Sequence, residues 1–321
     1  MNATKINPGA TKAALITAFA TIYLVWGSTY LGIRIAVETM PPFLMAGLRF
    51  VVAGSVLLAF QRLRGPLHLR LHHWRDNAIV GTFLLLGGNG LVSWAELTLP
   101  SGVTALIIGS TPLVMVLTEW AWPGGVRPGK LMLCGLLLGF AGVAWLAAPW
   151  ENAAAGALPL GGVIAILAAC VFWSFVSIYG RHAREPADPF TASALQMLAG
   201  SAALALVAWV RGEVTAFSPA AVSARSWLAF GYLTSVGSLV GFSTFVWLMK
   251  HSIPARVATY AYVNPIVAVF LGWLILREPI TSRTLIASAV IVTAVAVITV
   301  QKTRMAPARS DAAPVPRREA A

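Results

Sequence analysis

Arg49 lies inside one long apolar stretch of this 321-residue chain, and Glu96 sits near the outer end of another, at comparable depth. Arg49 follows Pro42 by seven residues, roughly 10 Å along a helix rising 1.5 Å per residue. A guanidinium near the centre of a membrane helix costs on the order of 3 kcal/mol on insertion scales. Two readings explain it: a pathway role, as an anchor for a substrate carboxylate or half of a gating pair, and a structural role, paired with a helix C-terminal carbonyl or Glu96 or snorkelling towards the outer face. Glu96 closes a stripe with Asn89 and Ser93, spaced i, i+4 and i+7, which is one face of one helix. Lipid cannot satisfy such a stripe, so it points at protein or at water. Interhelical hydrogen bonding, at about 0.6 kcal/mol per contact, is the alternative to a cavity lining. Trp94, between Ser93 and Glu96, is counted with the lining.

Aromatic residues recur at helical spacing. Tyr23, Trp26 and Tyr30 form one stripe, and Phe172, Phe175 and Tyr179 another beside Trp173. Packing is the ordinary role of such stripes. Here Trp26 begins a run Trp-Gly-Ser-Thr with Ser28 and Thr29, and Trp173 begins Trp-Ser with Ser174. Aromatic walls with a few hydroxyls suit apolar or cationic small solutes. Thr111-Pro112 and Asn264-Pro265 are the last feature, with Tyr260 one turn before Asn264. Proline removes a backbone hydrogen bond and kinks a helix. Paired breaks at corresponding positions point to a transporter's site, so Pro112 and Pro265 are expected to bend or to line the pathway.

The elements that must hold these residues follow from composition. Hydrophobic residues make up 58% and charged residues 11% of the chain, against about 25% charged for a soluble domain. With a mean hydropathy of +0.78, a water-facing body is excluded. A bilayer core about 30 Å thick takes roughly 20 apolar residues per helix, and stretches of that kind run near 13–35, 42–60, 77–98, 101–122, 131–149, 159–179, 189–210, 227–249, 256–276 and 283–301. The sequence predicts an all-α membrane protein of ten helices with short loops. Residues 1–12 form a leading segment and 302–321 a disordered tail rich in Pro, Ala and Arg. The first stretch is too long for the apolar core of a cleaved signal peptide.

The net charge of +12 then reads as orientation. With both termini cytoplasmic, 17 of the 23 Lys and Arg fall inside and 5 outside, leaving Arg49 within a span. That distribution obeys the positive-inside rule and requires no nucleic acid. Cys134 and Cys170 both lie in apolar spans and act there as small hydrophobes. Gly135-x3-Gly139 and Gly237-x3-Gly241 are expected to let helices approach closely.

Trp26 and Trp173 stand 147 residues apart, as do Pro42-Phe43 and Pro189-Phe190. Pro112 and Pro265 are separated by 153. These matches imply repeats over 13–149 and 159–301 with five helices each. An odd number sends the second repeat through the membrane in the opposite sense, an inverted-topology arrangement typical of secondary transporters. WGSTYLGIRIAVE at 26–38, AGLRF at 46–50, AELTLPSGVTALI at 95–107, STPL at 110–113 and YAYVNPIVAVFLGWLILREPI at 260–280 resemble the EamA-type exporters of the drug/metabolite transporter superfamily, most of all their YedA-like branch. The resemblance implies two inverted five-helix repeats, cytoplasmic termini and export of small metabolites such as amino acids or drugs from the inner membrane. The first repeat reads GVRP where the second reads REPI, so Glu278 has no acidic counterpart.

Three other functions fit the sequence less well. A membrane-embedded enzyme would need clustered titratable groups, whereas all five histidines lie in or beside loops. A receptor or scaffold would bring a sizeable extramembrane domain. A nucleotide-sugar antiporter would need several deep cations for a diphosphate, and Arg49 is the one deep cation. The expectations are a small-molecule substrate and the bilayer as partners, no nucleic acid, no obligatory protein partner, no metal and no cofactor. With no acid or histidine at mid-depth and Glu96 as the one plausible proton carrier, weak coupling or downhill export is expected.

Overall fold

The computed structural model describes residues 11–125, 127–148, 157–186, 188–252 and 254–305. Among them every regular element is helical. Among the described residues nine helices are long and apolar enough to cross a membrane: α1 (Lys12–Ala36), α2 (Pro42–Arg64), α3 (Leu71–Ala95), α4 (Ser101–Ala121), α5 (Lys130–Ala147), α6 (Leu160–Tyr179), α7 (Pro189–Val210), α8 (Ala224–His251) and, with α9 between, the last one. α9 (Tyr260–Leu276) is apolar but shorter and follows a single turn, Pro254–Val257. α10 spans Ser282–Met305. The chain is a helical multi-pass membrane protein, and Leu24, Leu63, Leu137, Val210, Leu228 and Leu274 expose apolar side chains around its rim.

Several boundaries differ from the sequence expectation; α2 runs to Arg64, past 60, and α9 begins at Tyr260, after 256. α3 begins at Leu71, six residues before 77, because the stretch His72–Asn77 is helical despite its polarity, with Asp76 and Asn77 buried. α8 starts at Ala224, where the Ser223 hydroxyl accepts from the Ser226 N–H at 3.1 Å and caps the helix; serine is a favoured residue there. α10 runs to Met305, one turn past 301. The expected loop 150–158 lies largely outside the described residues, as do 1–10 and most of the expected tail.

Helix starts inside apolar surroundings leave N–H groups that need acceptors. Carboxylates supply them. Glu213, after α7, accepts from Phe43 and Leu44 N–H at 3.0 and 2.9 Å, capping α2. Glu278, after α9, accepts from Ser101 N–H at 2.8 Å, Ser101 hydroxyl at 2.9 Å and Gly102 N–H at 3.1 Å, capping α4. Asp188 caps its own helix α7 through Thr191 N–H at 2.8 Å. A negative group at a helix N-terminus also meets the positive end of the helix dipole, worth up to about 2 kcal/mol when partly buried.

The main pairings map onto themselves when the first five helices are exchanged for the last five. α2 packs on α7 and α5 on α10; α1 packs on α8 and α9 as α6 packs on α3 and α4; α4 packs on α9. Small residues permit the approaches. Side chains at Gly135 and Gly139 would run into Ile298, Leu113 and Ala294, and one at Gly54 into Met197. The six helices α1, α3, α4, α6, α8 and α9 therefore surround the centre, and α2, α5, α7 and α10 flank them.

Candidate functional site

α3 and α8 each contain a widened π-helical segment, Thr82–Gly90 and Leu233–Val240. Their i→i+5 bonding displaces side chains from α-helical register and is frequent at functional sites. Each segment or its edge receives an indole. Trp26 of α1 lies against Gly241, where an added Cβ would meet the indole nitrogen; Trp173 of α6 lies against Gly88 in the same way. The packing reading of Gly237 and Gly241 holds, since Gly237 faces Thr29 and Gly241 faces Trp26.

Around Trp26 the aromatic groups converge. Its ring centroid is 5.1 Å from Tyr260, 5.2 Å from Phe245 and 5.8 Å from Phe242, with Tyr260 edge-on. Tyr23 shares a 2.5 Å hydrogen bond with the Thr259 hydroxyl. With its nitrogen turned to the available acceptors, the Asn264 amide donates to the Tyr260 carbonyl at 3.2 Å and the Tyr23 carbonyl at 3.3 Å. Around α6, Phe83 stacks on Phe172 at 5.6 Å and meets Phe175 edge-on at 5.1 Å, and Phe175 stacks on Tyr179. Sequence spacing found one stripe of each cluster; Phe83, Phe242 and Phe245 come from α3 and α8.

The hydroxyls and amides of the expected lining are mostly spent on backbone carbonyls. Ser93 donates to Asn89 at 2.9 Å, Ser174 to Cys170 at 2.7 Å, Thr29 to Trp26 at 2.7 Å and Asn89 to Leu84 at 3.5 Å. Thr111 donates to Ile108 at 2.5 Å and lies 3.4 Å from Cys170 Sγ, joining α4 to α6. Trp94 packs against the apolar core. Ser28 turns away from the centre. It meets Tyr232 at 2.5 Å on the wall of a hollow of about 510 Å³ between α1, α8 and α9, with Gly32, Ile35, Arg225 and Ile275.

The prolines correct the expectation of matched kinks. α4 breaks at Gly109-Ser110, and Pro112 sits in the first turn of its second piece, where its missing N–H is harmless. Pro265 lies inside continuous α9, and the corresponding break comes earlier, at Ala258-Thr259. The two features still touch, because a Cβ on Gly109 would meet Pro265 Cγ.

Arg49 and Glu96 do not form a pair. Arg49 is buried, donates through Nε to the Ser238 hydroxyl at 2.9 Å and lies 4.4 Å from the Phe50 ring centroid. Ser238 belongs to the π segment of α8, and its hydroxyl donates a hydrogen bond to the Leu233 carbonyl at 3.1 Å. Glu96 is fully buried, and its main-chain carbonyl accepts from Arg34 Nη1. By sequence Arg34 is one of the five outside charges, at the end of the first span. The signal was present: Arg34 and Arg181 are 147 apart, the Trp26–Trp173 offset. Arg181 binds Glu119, at 2.9 Å.

A profile described as the EamA-like transporter family matches residues 12–148 and again 160–300. The inner membrane transporter YedA of Escherichia coli K12 is 36% identical over 309 residues, covering 94% of this chain and 95% of its own. The transporter YvbV of Bacillus subtilis 168 is 27% identical, covering 90% and 92%. Protein PagO of Salmonella typhimurium LT2 is 24% identical, covering 81% and 84%. One solved crystal structure aligns with a TM-score of 0.61 at 25% identity, over 92% of this chain and all of the other.

Proposed function

We propose that this chain, which belongs to the EamA-like transporter family, is an inner-membrane exporter of small metabolites, namely amino acids or lipophilic drugs. It works by alternating access between two inverted five-helix repeats with both termini cytoplasmic. The observation that carries the reading is the exchanged packing of the two tryptophans: α1 of the first repeat places Trp26 on α8 of the second, and α6 of the second places Trp173 on α3 of the first. Each repeat thus contributes one helix to the other's wall, and rocking of the two halves would alter both walls together. The paired π segments and the contact of Gly109 with Pro265 give that motion places to bend. Aromatic groups around Trp26 favour organic solutes with apolar or cationic parts. The near absence of deep cations disfavours phosphorylated ones.

The test is a counterflow screen of amino acids, polyamines and lipophilic cations in proteoliposomes. Uptake of one class above protein-free vesicles is expected, reduced in Trp26→Ala and Trp173→Ala at equal reconstitution. Failure of every class would remove the export reading. Arg49→Met distinguishes the two roles of that residue. Selective loss for carboxylate-bearing solutes marks an anchor, and equal loss for all solutes marks a tie to Ser238.

A further inference from the structure

Glu96 is 0% exposed, and neither of its carboxyl oxygens has a hydrogen-bond partner. The other buried or partly buried carboxylates near the helix ends are all served: Asp76 by Arg75 and the Arg184 N–H, Asp188 and Glu213 by helix N–H groups, Glu278 by Ser101 and Gly102. The charged and titratable groups facing Glu96 are Arg34 and Tyr30 from α1 and Glu278 from the segment after α9. Tyr30 in turn borders Cys170 of α6 and Tyr260 of α9. Arg34 sends its guanidinium to the main-chain carbonyl of Glu96, and the two side chains form no ion pair. In α4, one turn beyond Ser101, the Thr104 hydroxyl is the other buried side-chain oxygen without a partner among the described residues.

A bare carboxylate in this position would be desolvated and unpaired, with another carboxylate as a neighbour. Such a group loses far more on burial than a neutral acid does. A bound cation would relieve it, but Arg34 already brings a positive charge, the carboxyl has no exposed surface for an ammonium group, and no cluster of three metal-ligating side chains occurs among the described residues. A proton requires neither space nor further ligands.

We infer that Glu96 is a proton-binding site whose occupancy is tied to closure of its end of the bundle, making the proton the ion exchanged for solute. The inference rests on the transport reading above. With this end closed the side chain is the acid. Opening requires the Arg34–Glu96 carbonyl bond and the Glu278 cap of α4 to part, which admits water. The carboxyl O–H bond then breaks, its electron pair stays on oxygen, the proton passes to water, and the carboxylate takes Arg34 as its counter-ion. Reclosure demands that a proton return. Distance along the span made Glu96 look peripheral; distance from solvent makes it a deep site, and coupling replaces downhill export.

The full-length protein in liposomes is examined by infrared spectroscopy at neutral pH for the carbonyl stretch of a protonated carboxyl. The band is expected in the wild type, absent in Glu96→Gln, and present in Glu185→Gln, which alters an exposed acid outside the spans. Glu96→Asp, which retains the acid, should keep a shifted band if Gln impairs folding. No band in the wild type, or a band that survives Glu96→Gln, overturns the site. The same vesicles then take labelled phenylalanine and tetraphenylphosphonium as probes. In the wild type an imposed pH gradient should raise accumulation above the equal-pH level, and in Glu96→Gln that gain should vanish at whatever rate counterflow proceeds. A gain that persists in the variant overturns the coupling. Absence of counterflow for both probes counts against the solute class proposed above, while the band still decides the proton site.

Discussion

The two ends of the helix bundle are closed by different chemistry. At the end that carries Glu96, carboxylates reach from one helix connection to the start of another helix: Glu278 holds α4 and Glu213 holds α2. At the end that carries Glu119, α7 is capped by its own Asp188, and Asp76 near the start of α3 accepts from the Arg184 N–H at 2.9 Å. The repeat-related arginines differ in the same sense. Arg34 is half-buried and bonds a main-chain carbonyl, whereas Arg181 is 59% exposed in its ion pair with Glu119. A repeat that is symmetric in its packing is thus asymmetric in its locks. The Glu96 end is held by carboxylates that cap the starts of α2 and α4, and the Glu119 end combines the buried bond of Asp76 to the Arg184 N–H with a solvated pair that opens at little expense.

The largest effect is therefore expected from Glu278→Ala. It orphans two buried N–H groups and a hydroxyl at the start of α4, and each buried donor left unmade costs about 1–3 kcal/mol. In a Cys134→Ser background, which removes the exposed thiol, a cysteine replacing fully buried Leu99 should become reactive to a polar maleimide, and thermal stability in detergent should fall. Glu278→Gln should recover part of both. Unchanged labelling at position 99 would break the comparison at its stronger side.

Next in size is the arginine pair. Arg34→Ala removes the donor to the Glu96 main-chain carbonyl and should open the same Leu99→Cys probe, with a loss of about 1.5–3 kcal/mol, as for a bond to a charged group. Arg181→Ala should cost about 0–1 kcal/mol, the usual range for exposed pairs, and leave that probe protected. Equal effects of the two substitutions would mean that exposure does not set the strength of these locks.

Much of this architecture is legible in the sequence, for a physical reason. Bilayer thickness fixes helix length, so α2, α4, α6, α7 and α9 begin or end within a few residues of where apolar composition put them. Tryptophan and proline are rare enough in apolar helices for their 147-residue spacing to expose the repeat. The site was less legible. Which glycine receives Trp26, or which hydroxyl receives Arg49, depends on helix rotation, and the π segments shift that rotation without a side-chain signature. The partners Gly241, Ser238 and Phe242 all come from α8 in or beside its segment Leu233–Val240. Glu96 shows the same limit. Its place near the end of a span was readable, and the absence of any donor to it was not, because that depends on Arg34 choosing the carbonyl over the carboxyl.

The smallest expected effect separates the two ends without any substitution in either lock. Mobile ions screen exposed charges over about 10 Å at 0.1 M salt and about 3 Å at 1 M, but they scarcely enter a buried hydrogen-bonded cap. Raising salt should weaken Arg181–Glu119, whose arginine is well solvated, and leave Glu278 on α4 intact. A cysteine replacing buried Ile178, three residues before Arg181, should label modestly faster at 1 M salt than at 0.1 M, and Arg181→Ala should abolish that salt dependence. The Leu99→Cys probe should label at the same rate in both. If salt speeds labelling at Leu99→Cys as much as at Ile178→Cys, the Glu96 end is also held by screened charge, and the exposed pair of Arg225 with Glu38 at 3.7 Å becomes its lock in place of Glu278.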